Sequence, residues 1–322
     1  MRATARKRRV KCLSAVGASC CTACLVLLAA CRRETPARQN DTPRSSVTPP
    51  ITTPTDSTAP TTWDVQVGAI LAVPASSPSS AFVIVPRYTS DSSLDSASFD
   101  LPALNGSNLG LLANGRLVAR AKLTGLSVAR DSDCTSWPTA RVELQGAGVL
   151  PTWSAGFADG SVEPIPFDSL QVLSPADSTR LNVELAKLAS AVPNDTAAAF
   201  RGRPFVVRTV RRFQISARSV VIAEVIRSVN QEATPLQEHL LLVAERDTAS
   251  TAGYQRSYYE RTIGLEDAVE ATDLLAVVHP MRSETVYLLV SRDFGDGVSY
   301  ALLERRPAGT WRLRWSSAYA GC

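Results

Sequence analysis

The sequence predicts a mainly β domain, a sandwich or a barrel-like antiparallel meander, with one α-helix packed on it. Three observations carry this. Short runs rich in β-branched, leucine and aromatic residues recur from Trp63 to the C-terminus, among them "SAFVIVPRY", "SVVIAEVIRSV", "EHLLLVAER" and "TVYLLVSR". Clusters of turn-forming residues separate them, as between strands of antiparallel sheets. One segment alone combines a helical apolar period with signals at both helix ends.

In chain order, "WDVQVGAILAV", "SAFVIVPRY", "GRLVARAKL" and "ARVEL" read as the first strands. A helix follows over 175–192: Ser174 caps it, Pro175 suits its first turn and Asp177 favours its positive end. Leu181, Leu185, Leu188 and Val192 fall on one face before Pro193 stops it. The stretch 193–204 is a possible seam between two subdomains of the region 63–322. Strands resume with "FVVRTVRRFQI", "SVVIAEVIRSV", "EHLLLVAER", "LLAVVH", "TVYLLVSR", "SYALLERR" and "TWRLRWSSA". The last two flank "PAG", a three-residue hairpin connection whose glycine supplies a left-handed position. That register sets Glu304 opposite Arg312 and Leu303 opposite Leu313, with Trp311, Leu313 and Trp315 on one face and Arg312 and Arg314 on the other.

Ahead of this domain the chain begins with six basic residues and no acidic one, then a mainly apolar or small stretch from Cys12 to Ala30. That is the layout of an export signal over 1–30. The stretch ends at Leu28-Ala29-Ala30-Cys31, which resembles the lipobox of bacterial lipoproteins. The resemblance implies that Cys31 carries a diacylglyceryl group, becomes the first mature residue and anchors the protein to a membrane. It places the protein in a bacterial cell envelope. In a diderm, Arg32 instead of aspartate after the anchor points to the outer membrane, facing the periplasm. The competing reading is a plain transmembrane helix, although small and cysteine residues dilute the run. Residues 32–62 hold Pro, Thr or Ser at 18 of 31 positions and no aromatic, a composition that cannot build a core. With Cys31 they read as a lipidated tether whose span is about 30 Å.

The signal takes away six of the 34 basic residues, leaving 28 against 30 acidic ones. Nucleic-acid binding thus has no support from composition. Cys12, Cys20, Cys21 and Cys24 leave with the signal, so only Cys134 and Cys322 remain beside the anchor. In an exported chain an even remainder of two reads as one disulfide, the alternative being two unpaired thiols.

No catalytic set, metal ligand set or cofactor motif stands out. His239 and His279 each lack a second ligand at zinc spacing and read as structural or surface residues. "GLSVA" lacks the second glycine of a nucleophile elbow, and "RDFGDG" reads as a polar turn. "LEDAVEATD" sets Glu266, Glu270 and Asp273 at helical spacing; three carboxylates on one face suit acid–base chemistry, or simply a solvated helix face. "FRGRPFVVRTVRRFQISAR" carries six arginines and no acid in nineteen residues. On a regular strand Arg208 and Arg212 point one way and Arg211 the other; the set Arg208, Arg211 and Arg212 is the candidate for an anionic or protein partner. The competing reading is an edge strand charged against aggregation and paired with nearby glutamates. Two functions follow: a non-catalytic module binding an envelope protein or anionic polymer, or an envelope hydrolase using paired carboxylates. Replacing Cys31 with Ser should leave an unprocessed precursor without lipid mass, read by mass spectrometry; normal maturation would mean an ordinary or uncleaved signal.

Overall fold

Six short strands come first: β1 (Leu71–Pro74), β2 (Ser80–Ile84), β3 (Asn108–Ala113), β4 (Arg116–Ser127), β5 (Thr139–Leu144) and β6 (Ala155–Ala158), with a one-turn helix α1 (Leu101–Leu104) after β2. They close into an antiparallel barrel of order β1-β2-β5-β4-β3-β6. Six strands enclose a narrow interior, so small and medium residues such as Ala72, Val83, Leu109, Ala121 and Leu123 fill it. β3 and β4 join through Asn114-Gly115, both with positive φ (49° and 66°), the geometry that matches strand twist in a two-residue hairpin. A Cβ on Gly115 would also stand 1.9 Å from the Ile165 carbonyl oxygen, so no other residue fits.

The computed structural model describes residues 62–94, 99–128, 134–193, 198–229 and 235–322, all within one compact unit, Thr48–Cys322. The export signal, Cys31 and the tether up to residue 61 lie outside the described residues, as do 194–197 in the stretch read as a seam. No helix among the described residues is long and apolar enough to cross a membrane.

After the barrel come β7 (Val162–Pro164), β8 (Phe167–Ser169), the helix α2 (Pro175–Ser190), β9 (Val206–Ile215), β10 (Arg218–Val229), β11 (Leu236–Asp247) and β12 (Gln255–Leu265). β13 (Ala271–Pro280), β14 (Tyr287–Asp293), β15 (Gly297–Arg305), β16 (Trp311–Ser316) and β17 (Ala320–Gly321) complete the chain. Two antiparallel sheets result, β12-β11-β10-β9-β8 and β16-β15-β14-β13-β7, with β17 on β15.

Their side chains define four layers: barrel, six-stranded sheet, five-stranded sheet, helix. Leu289 and Leu302 face the barrel, while Leu288 and Leu303 face the other sheet. Ile222 and Val243 meet them there, and the alternate residues Val221, Ala223 and Leu242 pack under α2. Both sheets are covered on both faces, which is why "VVIA" and "LLLVA" are unbroken apolar runs rather than alternations.

The helix forms as its sequence predicts. Ser174 accepts the Asp177 N–H at 3.2 Å, and Leu181, Leu185 and Ala189 are buried beneath it. The first predicted strand is shorter: Val65–Val67 is a 3₁₀ turn capped by Asp64, and pairing starts only at Leu71. At the C-terminus Glu304 faces Arg312 and Leu303 faces Leu313 as expected, but a bulge leaves Arg314 unpaired. Trp315 therefore swings to the barrel side, away from Trp311. There it stacks edge-on with Trp63 at 4.8 Å and donates to the Pro86 carbonyl.

Cys134, ahead of β5, and Cys322, after β17, form a disulfide with Cα atoms 4.4 Å apart across 188 residues. It fastens the barrel to the six-stranded sheet beside a Thr135–Gly321 bridge. Closing so long a loop stabilises by about 5 kcal/mol in the chain-entropy model. Cys134→Ser or Cys322→Ser should accordingly lower the unfolding temperature, and reductant should lower the wild type to the same value. A melt indifferent to both would mean that barrel and sheet are held by packing alone.

Candidate functional site

Glu224, Glu238, Glu245, Glu260 and Glu270 are each at most 6% exposed. A buried carboxylate is tolerated only with a cation or donors against it, and each of the five has a guanidinium within 4 Å.

Three of them meet at one end of the space between the two sheets. From the five-stranded sheet, Glu224 (β10), His239 (β11) and Glu260 (β12) point inward; from the six-stranded sheet come Glu270, Thr272 (β13) and Arg292 (β14). The Glu224 carboxylate accepts from His239 Nδ1 at 2.8 Å, from the Thr272 N–H at 3.0 Å and from Arg208 at 2.6 Å. Arg292 donates to both oxygens of Glu260 at 2.8 and 2.6 Å and lies 3.4 Å from Glu270; Tyr258 also donates to Glu260. At the opposite end of the same core, Glu245 takes both arms of Arg305 and the Trp311 indole N–H, each at 2.8 Å.

Glu224 and Glu270 shift in opposite directions because their partners differ. Burial raises Glu224, but hydrogen bonds from His239 and the Thr272 N–H, with the Arg208 charge, carry it below the usual range. Glu270 is raised to about 7 by burial, with Glu260 adding to the rise and Arg292 opposing it. Its Oε2 has no hydrogen-bond partner among the described residues. The cavity beside this cluster, lined by Thr209, Arg211, Glu224 and Thr272 among others, is about 10 Å³, space for a single water.

The arginine strand is split by a bulge. Glu224 pairs with Thr209 and Val225 with Val207, so Arg208 is the extra residue of β9 and its head turns into the inter-sheet space. Arg208 thus shares a side with Arg211, not with Arg212 as a regular strand would have it. Arg212 sits opposite Val221, on the helix side. Arg211 and Arg212 are half-buried and form no ion pair among the described residues. Among the described residues Val206–Val210 has β10 on one side and no strand on the other, so this half of β9 is an edge whose bulge and inward charge blunt it.

Glu266, Glu270 and Asp273 do not share a helix. Leu265–Val269 is one turn, Glu270 is buried, and Glu266 and Asp273 are exposed. Extended backbone from Ala271 sends successive side chains to opposite faces, which separates what helical spacing would have joined. His239 is buried between Glu224 and Gln237, and "RDFGDG" runs from the end of β14, which holds Arg292 and Asp293, through a turn to Gly297 of β15. No group of three His, Cys, Asp or Glu able to hold a metal ion occurs among the described residues.

On the helix side, Arg227 and Arg261 share Glu238, at 2.7 and 3.1 Å. Sequence reasoning missed this triad and most of the inter-sheet cluster. The available signal was a lone charge inside an apolar run, Glu224 and Arg227 in "VVIAEVIR" and Glu238 in "QEHLLL"; such a charge must find a buried partner. Comparison with protein-family models, curated proteins and solved structures finds no match to this chain.

Glu270 keeps its proton in the folded chain up to about pH 7, whereas unfolded it ionises near 4.5. Its contribution to stability is therefore complete below 4.5 and lost as pH rises through 7, by up to about 3 kcal/mol. Glu270→Gln should flatten the fall in unfolding free energy between those pH values, measured by urea unfolding; an unchanged slope would assign the fall to another group.

Proposed function

We propose that this chain is a lipid-anchored protein of a bacterial envelope that works by binding an envelope protein or anionic polymer and does no catalysis. The observation that carries the reading is the state of the buried carboxylates. Each is held against an arginine, and so placed it maintains structure and has little freedom to shuttle protons. The hydrolase alternative draws on Glu260 and Glu270, which converge on Arg292, one of them raised to about 7. A hydrolase also needs space for a substrate beside its acids; the cavity of about 10 Å³ next to Glu224 is lined by neither Glu260 nor Glu270.

The binding reading draws further on the tether, whose span of about 30 Å would carry the domain clear of a lipid surface. In a diderm the outer membrane, with the domain in the periplasm, fits the residue after Cys31. Within the arginine strand, Arg211 and Arg212 keep a part in the reading, while Arg208 is already committed to Glu224.

Photo-reactive residues at the exposed positions Val206 and Gln214, flanking Arg208, Arg211 and Arg212, test this in intact cells. A discrete protein or polymer adduct is expected, reduced when Arg211 and Arg212 are reversed to Glu. No adduct at either position would make these arginines structural.

A further inference from the structure

We propose that the cavity between the C-terminal end of α2 and the outer face of the five-stranded sheet takes a carboxylate or phosphate group carried on a short apolar stem. The proposal rests on the binding reading above and names the chemistry of one ligand group. The cavity is about 350 Å³, within the range of small-ligand sites. Arg203, Arg227 and Arg261 are among its lining, and Val192, Pro204 and Phe205 supply apolar wall.

Charge on this wall is unbalanced among the described residues. Arg227 and Arg261, at most 8% exposed, share the single carboxylate of Glu238. Arg203 adds a third guanidinium at the exposed rim and forms no ion pair among the described residues. The partial negative charge at the end of α2 opposes an anion, but it fades within one helical turn. Among the described residues three guanidiniums line the cavity and one carboxylate is shared by two of them, and a guanidinium as buried as Arg227 or Arg261 attracts an anion more strongly than it would in water.

The positive groups are also held in place. Arg227 donates to the Phe200 carbonyl at 3.1 Å and lies over the Phe205 ring at 4.6 Å; Arg261 donates to the Pro193 carbonyl at 3.0 Å. Guanidiniums fixed before the ligand arrives lose little side-chain freedom on binding. Arg203, the exposed one, is free to close on a bound oxyanion. The apolar wall of Val192 and Phe205 then favours a ligand with a hydrocarbon or aromatic stem over a bare inorganic ion.

The test is calorimetric titration of the full lipidated chain in detergent with phenyl phosphate, phenylacetate and neutral benzyl alcohol, at ionic strength matched with sodium chloride. Saturable binding of one or both anions and none of benzyl alcohol is expected; which anion binds separates phosphate from carboxylate. Arg203→Gln should weaken binding about tenfold, the worth of one charge-assisted hydrogen bond, and Ser190→Trp should abolish it by filling the cavity. Both positions are exposed, so unchanged melting of the variants shows that the fold is intact. Absence of binding by both anions, or binding indifferent to both variants, overturns the proposal. If it fails while crosslinking at β9 captures a partner, the cavity is empty of function and the binding module stands; if both fail, so does the binding reading.

Discussion

Burying five glutamates within β layers constrains everything else in this structure. A carboxylate out of water costs several kcal/mol unless a cation and donors meet it, so each glutamate dictates where an arginine must come from. Arg292 reaches Glu260 only if the two sheets face each other in one register, and the Thr272 N–H reaches Glu224 only under the same condition. Apolar contacts in the same core, Ile222 and Val243 against Leu288 and Leu303, would tolerate sliding by one residue pair far better. The ion pairs specify the sandwich; the apolar residues supply most of its stability.

Bulges let two-sided sheets satisfy this demand. A strand covered on both faces must place every side chain in one core or the other, and a period of two leaves no freedom. The extra residue in β9 turns Arg208 to Glu224, and that in β16 turns Trp315 to the barrel. A third irregularity, between Leu274 and Ala276 in β13, keeps Leu274 with Val277 facing the five-stranded sheet and Ala276 with Val278 facing the barrel. In each case one unpaired residue re-aims the rest of the strand.

This also sets what was legible in the sequence. The β class and α2 could be read, because apolar runs and helix caps are local signals: Ser174 and Leu185 do what their spacing says. β12 has no apolar run to mark it, because Glu260 and Arg261 interrupt it, yet both are buried, each facing a different layer. β3 was passed over although Asn114-Gly115 is a strong hairpin signal. The site was less legible still. Glu270 was singled out, but in a helix that does not form, and the faces of Arg208 and Trp315 depend on bulges that no periodicity reveals. Pairing of Cys134 with Cys322 followed from counting alone, while their closeness is a property of the tertiary fold.

Residues 31–322 are near neutrality, with 28 basic residues against 30 acidic ones, yet carry local positive charge. The five buried glutamates are matched by five arginines, Arg208, Arg227, Arg261, Arg292 and Arg305, so their pairing leaves the balance of the remaining charges unchanged. Glu238 is spent on Arg227 and Arg261 together, Glu224 on Arg208, Glu245 on Arg305. Arg203, Arg211 and Arg212, close in sequence, are left without ion pairs among the described residues. Net charge governs long-range behaviour such as solubility, but a partner within a Debye length of about 8 Å meets the local distribution. That distribution is positive over residues 200–218, where six arginines occur with no acid among them and, of the six, Arg208 is the one paired with a glutamate among the described residues.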